Sequence, residues 1–224
     1  MCGRFTQFYT WAEVNDFLSF GTPPRNLQPR YNIAPTTTID VALNRADGRA
    51  LVPMRWGLVP GWWKKDVKDV PATFNARRET VAEKPMFRGA YKAGRRCVIP
   101  MSGFYEWKAE PNGKQPHFIS GANQPVLGIA GLWERWRNPE GEEVLSATMI
   151  VQPANDFMGS IHTRMPVFVD RGDVEGWLSG KAGLDALKPA GDELLRSWPV
   201  SKRVNRVGND SDATLAEPIV GGEC

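Results

Sequence analysis

Four stretches rich in apolar and aromatic residues constrain the fold of this chain more than any other feature of its sequence. Each stretch is bounded by Gly, Pro or Asn, and such residues commonly end strands and form turns. We therefore predict strands over residues 50–59, 96–108, 126–136 and 144–151. Asn112-Gly113 and the Asn-Pro-Glu-Gly segment at 138–141 predict turns between strands.

Helical patterns are fewer and shorter. Thr10 with Glu13 is typical of a capping box, which predicts a short helix directly after Thr10. Further helices are predicted over residues 76–93, 171–178 and 182–197, the first interrupted near Pro85 and the last at Pro189.

The order of these elements indicates a fold class. Strands dominate, and strands and helices do not alternate regularly. We therefore predict an α+β single domain with a curved, barrel-like, mostly antiparallel sheet core flanked by short helices. The domain is expected to span residues 2–204. Residues 205–224 are polar and rich in small residues, which predicts a loosely ordered C-terminal tail.

Composition excludes several functional classes. The 224 residues contain no apolar run near the roughly 20 residues of a membrane span. Cys2, Cys97 and Cys224 are far apart, which fits neither a disulfide framework nor a zinc site and indicates a reducing compartment. We expect a cytoplasmic protein, nucleoid-associated if bacterial, with no metal or cofactor. The net charge of +3 permits nucleic-acid binding without requiring it.

The second residue carries the most distinctive chemistry. Initiator Met is normally removed before a small residue, and removal of Met1 would leave Cys2 with a free α-amine beside its thiol. Such an aminothiol condenses with an aldehyde to an imine, which the thiol then closes to a thiazolidine ring. The amine has an ordinary pKa near ~8, and a nearby charge would help the thiol ionise. The alternative is a cysteine without a role in a frayed terminus.

Asn75 lies at a predicted strand-to-helix junction. Its side chain could simply cap the helix. Arg77 and Arg78 would oppose the helix dipole at that position, which favours a nearby anion such as phosphate.

Glu106 lies within a strand rich in aromatic residues. Alternation places Phe104 and Glu106 on one face, and Tyr105 and Trp107 on the other. A carboxylate beside Phe104 is expected to be partly desolvated, which raises its pKa toward values useful in acid–base chemistry. The alternative is a surface carboxylate on an edge strand.

Two histidines and a pair of tryptophans complete the candidates. His162 precedes a predicted strand at 167–169 and is expected in a loop at a sheet edge, where functional side chains are common. His117 is interpreted as structural, at the start of a strand. Trp62 and Trp63, which precede two lysines, are suited to stacking on the bases of a single strand. The alternative is a core anchor, and one of the two is expected to be one.

These pieces occur in the order typical of one family. The sequence resembles the SOS-response-associated peptidase (SRAP) family over roughly residues 2–178. The matching segments are, in chain order, MCGRF, YNIAPT, WGLVP with Trp62, FNAR with Glu79 and Thr80, CVIP, GFYEW, AGLWE and HTRMP. Two positions depart from the family pattern. Many members carry Thr where this chain has Gln152, and others carry Asp where it has Thr163.

The resemblance implies a role for each matched position. Cys2 would attack the ring-opened aldehyde of an abasic site in single-stranded DNA, and Asn75 would contact the opened sugar. Glu106 would transfer protons near the Cys2 amine, and protonated His162 would assist ring opening. The expected DNA contacts are Arg4, Trp62, Trp63, Arg77 and Arg164.

The function implied is that of a monomeric sensor and shield of abasic sites, which forms a covalent thiazolidine cross-link and so modifies itself. Two alternatives stay open. One is a cysteine peptidase, which includes autoproteolytic removal of Met1. The other is a non-covalent binder of single-stranded or modified DNA.

Overall fold

Five strands form a closed ring at the centre of the molecule. The computed structural model describes residues 2–138 and 140–219. The strands within these residues are β1 (Phe5–Gln7), β2 (Arg30–Ile33), β3 (Thr38–Arg45), β4 (Gly48–Trp56), β5 (Asn75–Arg77), β6 (Arg96–Met101), β7 (Gly103–Glu110), β8 (Gly113–Gly121), β9 (Leu127–Arg137), β10 (Glu143–Pro153), β11 (Arg164–Pro166) and β12 (Leu195–Pro199). The α-helices are α1 (Trp11–Leu18), α2 (Pro85–Lys92), α3 (Asp156–Gly159) and α4 (Val174–Leu178).

The ring runs in the order β10, β4, β3, β6 and β9, and pairing of β9 with β10 closes it. Its pairs are antiparallel except for β10 with β4. The far half of β10 adds two short strands, β5 in parallel and β11 antiparallel. A second sheet, in the order β12, β8, β7, β1 and β2, packs beside the ring and is antiparallel throughout. The predicted fold class is confirmed.

Alternation along the strands sorts the apolar residues into separate cores. In β6, Cys97 and Ile99 belong to a cluster inside the ring, whereas Val98 packs outside with α1, α2 and α4. The inner cluster extends to one face of the second sheet through Phe5 and Phe104. This period of two is the expected behaviour of a sheet buried on both faces. It brings the inner face of β7 against the N-terminal residues.

The stretch 96–108 is not one strand but two, in different sheets. β6 belongs to the ring and β7 to the second sheet, with Ser102 at the change between them. Ser102 donates its N–H to the Thr6 carbonyl at 2.9 Å, and its hydroxyl accepts from the N–H of Phe8 at 2.9 Å. These bonds satisfy the backbone where the chain leaves one sheet for the other, so the apolar run continues without a visible break in the sequence.

Two of the predicted helices are wrong over most of their length. In the 76–93 segment only Pro85–Lys92 is helical, because Asn75–Arg77 pairs with β10 and residues 78–84 form turns. In the 182–197 segment, two short 3₁₀ turns lead into β12, which pairs with β8. The helix after Thr10 and the one within 171–178 are confirmed, and the capping box of Thr10 and Glu13 is present.

The tail is ordered as far as the structure describes it. Asp210 accepts from Arg30 Nε at 2.6 Å and from the N–H of Asn32 at 3.0 Å, and Leu215 is fully buried. These contacts fasten the described part of the segment to β2, whereas the sequence had predicted a loose tail. Residues 220–224, with Cys224, lie outside the described residues, as do Met1 and Pro139. No helix in the described ranges is long and apolar enough to cross a membrane.

Candidate active site

Cys2 is buried at the edge of the inner core. Its exposed fraction is 1%, and its thiol donates to the Arg4 carbonyl at 3.9 Å. Burial raises the pKa of the thiol well above its ordinary value, and the negative charge of Glu106 raises it further. The sequence predicted a nearby charge that would help the Cys2 thiol ionise, but the negative charge of Glu106 opposes its ionisation. The residue is held as a neutral thiol beside a carboxylate, and a frayed terminus is excluded.

Asn75 holds the backbone of Cys2. Its Nδ2 donates to the Cys2 carbonyl at 2.8 Å, whereas its Oδ1 is buried and has no hydrogen-bond partner within the described residues. Asn75 begins β5, opposite Met149 of β10, and no helix follows for it to cap. The helix-cap alternative is therefore wrong. The amide therefore joins β5 to the N-terminal segment through its Nδ2.

Glu106 projects from the centre of the second sheet. It is 2% exposed, in β7 between β1 and β8, so the edge-strand alternative is wrong. Burial raises the pKa of its carboxyl from 4.5 to about 7. The alternation predicted for this strand is confirmed, because Phe104 lies in the inner core and Tyr105 packs in a separate cluster on the opposite face. Near neutral pH, this carboxyl can both donate and accept a proton.

His162 lies in the turn between α3 and β11, at an edge of the ring sheet, as predicted. Its Nδ1 accepts from the backbone N–H of Arg164 at 3.0 Å. The same Nδ1 lies 3.3 Å from the Arg164 carbonyl, and the shorter contact with the N–H favours the neutral tautomer that carries its proton on Nε2. Partial burial lowers the pKa of the ring. His117, by contrast, lies in the middle of β8, opposite Glu106, and not at the start of a strand.

A cleft of about 460 Å³ adjoins these residues. Its lining is Arg77, Glu79, Thr80, His162, Thr163 and Arg164. Asn75 and Arg77 share a face of β5, which places the cleft next to the Asn75–Cys2 contact. Arg77 is exposed. Arg164 forms a two-point ion pair with Glu79, whose pKa is lowered by that hydrogen bonding.

Two of the arginines that the sequence singled out are bound within the chain. Arg4 donates from Nη1 to Asn32 Oδ1 at 2.8 Å and to the Val204 carbonyl at 2.7 Å, and from Nη2 to the Asn205 carbonyl at 3.4 Å. Arg78, predicted to meet an anion at a helix start, instead donates to Gln152 Oε1 at 2.7 Å. Both guanidinium groups join distant segments of the fold.

The two tryptophans have different surroundings. Trp62 is 51% exposed. Trp63 is half-buried, donates from Nε1 to the Asp66 carbonyl at 3.0 Å, and accepts at its own carbonyl from the indole N–H of Trp136. The ring centroids of Trp62 and Trp63 are 5.9 Å apart. One ring of the pair is thus anchored and the other is presented to solvent.

Two residues that contribute to the site carried no assigned role in the sequence. Glu79 pairs with Arg164 across 85 positions. Trp56 is fully buried, donates from Nε1 to the Phe74 carbonyl at 3.0 Å and packs edge-on against Phe5 at 4.8 Å. It therefore supports both the residue before Asn75 and the strand that follows Cys2. Both lie in segments that matched the family pattern, which was the only signal available.

Comparison with known proteins decides the family. The model of the SOS response associated peptidase (SRAP) family matches residues 1–207. The chain belongs to the SRAP family. A Bacillus subtilis relative of this SRAP chain, named abasic site processing protein YoqW, is 35% identical and aligns with 94% of the chain and 97% of that relative. The abasic site processing protein HMCES of Gallus gallus is 34% identical over 87% of the chain and 68% of its own length.

Solved structures share the fold of this SRAP chain. A protein from Bacteroides thetaiotaomicron superposes with a TM-score of 0.85 at 22% identity, covering 98% of the chain and 100% of that structure. A protein from Bordetella bronchiseptica gives a TM-score of 0.78 at 25% identity, covering 89% of the chain and 100% of that structure.

Within residues 2–138 and 140–219, no group of three or more His, Cys, Asp or Glu side chains could hold a metal ion.

Proposed function

We propose that this protein captures abasic sites in single-stranded DNA by forming a thiazolidine through Cys2, after removal of Met1. The observation that carries the proposal is the direct contact of Asn75 with Cys2 beside a buried carboxyl of near-neutral pKa. It is supported by relatives whose names assign them to abasic site processing. The product leaves the DNA strand intact, so the protein acts as a shield in the response to DNA damage.

The proposed capture step releases one water, and the hydrolysis that precedes it consumes one water and releases methionine. Hydrolysis of the Met1–Cys2 bond exposes the α-amine of Cys2. The closed sugar of the abasic site opens to its aldehyde, and the amine adds to the carbonyl carbon. Loss of water gives the imine. The thiol sulfur then bonds to the imine carbon while its proton passes to the nitrogen, which closes the five-membered ring.

Glu106 is suited to the proton transfers of these steps. With a pKa of about 7 it is present in both protonation states near neutral pH. The carboxylate form can take the proton from the incoming amine or thiol, and the acid form can protonate the departing hydroxyl. The high pKa of the Cys2 thiol makes such a base necessary, because the free thiol ionises little without one.

His162 is suited to opening the sugar ring. Its pKa is lowered, so the neutral imidazole predominates at pH 7.5, and the Nε2–H is its donor. This donor would bond to the sugar oxygen as the ring opens, in place of the imidazolium expected from the sequence. Asn75 Oδ1, buried and without a partner in the described structure, would accept from a hydroxyl of the opened sugar.

The DNA strand is proposed to follow the cleft past Arg77 and Arg164 toward Trp62. Arg77 would pair with a phosphate, and the exposed ring of Trp62 would stack on a base. Trp63 and Arg4 would contribute mainly by holding the tryptophan loop and the N-terminal segment in place, since both already bond within the chain.

The decisive experiment compares wild type with Cys2→Ala on an abasic single-stranded oligonucleotide. Intact mass should give the sum of the two molecules less one water, and the wild-type adduct should survive heating. Cys2→Ala should retain at most a Schiff base that borohydride traps. A heat-stable adduct of normal yield with Cys2→Ala contradicts the proposal. DNA-independent cleavage of a peptide in trans would favour the peptidase alternative.

A further inference from the structure

The ion pair between Glu79 and Arg164 has the geometry of a bound phosphate. Glu79 Oε1 and Oε2 lie 2.5 and 2.9 Å from Nη1 and Nη2 of Arg164, so both oxygens meet the two ends of the guanidinium fork. A phosphodiester presents two oxygens to arginine in the same way. The carboxylate therefore occupies the donors that a DNA backbone would use.

The rest of the cleft is prepared for an anion. Arg77 is exposed, and no hydrogen bond or ion pair joins its guanidinium to another described residue. Its positive charge contributes to the lowered pKa of Glu79, which places the two groups near each other. Of the two arginines in the cleft, one is open to a phosphate and the other is neutralised from within the chain.

The pair is also open to exchange. The Glu79 side chain is 45% exposed and that of Arg164 is 17% exposed. Ion pairs in contact with water are weak, because each partner regains hydration when they separate. Removal of Glu79 from the fork would leave the Arg164 backbone in place, since its N–H donates to His162 Nδ1. An incoming phosphate can thus replace the carboxylate without disturbing β11.

We propose that Glu79 is an internal competitor for DNA phosphate, which sets how tightly the protein holds any single strand. The inference rests on the DNA-binding part of the proposed function and not on its covalent chemistry. Each strand that binds must displace Glu79 from Arg164, so affinity for undamaged DNA is kept low. The protein is then retained mainly where Cys2 captures an aldehyde.

The test is binding of an undamaged single-stranded oligonucleotide by Glu79→Gln across a salt series. We expect binding roughly two- to fivefold tighter at low salt, the fold-change that matches loss of a weak exposed ion pair. The slope of log affinity against log salt should be steeper than in wild type by less than about 0.7, because salt weakens the competing ion pair in wild type while the number of neutralised phosphates stays the same. Glu83→Gln is the matched control, since it removes the same charge from an exposed neighbour in the turn after β5.

A double variant identifies the mechanism. In an Arg164→Ala background, Glu79→Gln should change neither affinity nor slope, because the fork is absent. Weaker binding by Glu79→Gln, an unchanged slope, or equal tightening in the Arg164→Ala background overturns the inference. Glu79→Ala provides a second variant if Glu79→Gln melts at a lower temperature than wild type.

The covalent proposal is tested separately, by measuring in a denaturing gel how much adduct the wild-type protein forms with an abasic strand. Absence of that adduct with the expected Glu79→Gln effect rejects the cross-link and retains the competitor. Absence of all single-strand binding by wild type rejects both.

Discussion

The side-chain amide of Asn75 and the backbone carbonyl of Cys2 are joined by a 2.8 Å hydrogen bond between residues 73 positions apart. The bond fixes the N-terminal segment against β5, the strand that also carries Arg77 into the cleft. A change in this one contact should therefore affect the chemistry at Cys2 more than the affinity for DNA.

Asn75→Ala is expected to slow single-turnover adduct formation about tenfold, the effect of losing one hydrogen bond of roughly 1.4 kcal/mol. Binding of undamaged single-stranded DNA should remain within twofold of wild type. Adduct is measured in denaturing gels and binding by fluorescence anisotropy. Asn123→Ala, at an exposed loop position, serves as the control. Loss of affinity equal to the loss in rate would place Asn75 in the DNA-binding surface instead.

Glu106→Gln is expected to flatten the dependence of stability on pH. The native pKa of about 7 lies above the ordinary 4.5, so the protonated form is favoured by folding. Its stabilising effect is complete below pH 4.5, decreases as pH rises to 7, and is lost above that; the total is about 3 kcal/mol. Urea unfolding at pH 5 and pH 8 measures this difference. Identical changes in the two proteins would show that Glu106 titrates normally.

His162→Ala is expected to slow reaction with an abasic site and to affect a free aldehyde much less. The reason is that only the abasic site requires ring opening. Glu106→Gln should slow both substrates, because proton transfer at the amine is common to them. The measurement is single-turnover adduct formation on abasic and aldehyde-bearing oligonucleotides of equal length. Equal slowing of both by His162→Ala would assign it a general positioning role.

Arg77→Ala is expected to reduce the salt slope for undamaged single strands by about 0.7, as expected for loss of one phosphate contact. Arg4→Ala should change that slope little and lower the melting temperature instead, because its guanidinium bonds to Asn32, Val204 and Asn205. Binding across a salt series and thermal unfolding distinguish the two. A slope change for Arg4→Ala as large as for Arg77→Ala would make Arg4 a phosphate ligand.

Trp62→Ala is expected to weaken single-strand binding by about 1–3 kcal/mol, the contribution of one stacked base. Trp63→Ala should mainly reduce stability, since its indole N–H bonds to the Asp66 carbonyl within the loop. Anisotropy titrations with a pyrimidine oligonucleotide, together with melting temperatures, separate the effects. Unchanged affinity for Trp62→Ala would exclude the exposed ring from the DNA path.

Local sequence patterns correctly predicted the features that depend only on neighbouring residues, such as strand alternation and a helix cap. The two-residue alternation placed Glu106 on the face of Phe104, and the cap at Thr10 marked the start of α1. The same local rules assigned residues 76–93 to a helix, although pairing with β10 draws Asn75–Arg77 into a strand. Pairing with a distant strand is a tertiary effect that overrides local preference.

Contacts between distant segments could not be read from the sequence. Glu79 and Arg164 are 85 positions apart, and no local sequence pattern around either residue indicates that they pair. The change of sheet at Ser102 is hidden within a continuous apolar run, because both strands are buried. The order of family segments indicated which residues matter together. The distances between these residues, and the partners of Arg4 within the chain, became known only from the structure.

The hydrogen bonds that hold Arg4 have a consequence for biosynthesis. Arg4 lies 200 and 201 positions before the carbonyl groups of Val204 and Asn205 that accept from it. The ribosome makes residues 2–5 about 200 residues before it makes these partners. Throughout that interval the N-terminal segment lacks its final partners and is accessible to a processing aminopeptidase. Once the chain folds, Cys2 is 1% exposed. If Met1 is removed as proposed, its removal is therefore expected before these partners are made and Cys2 becomes buried.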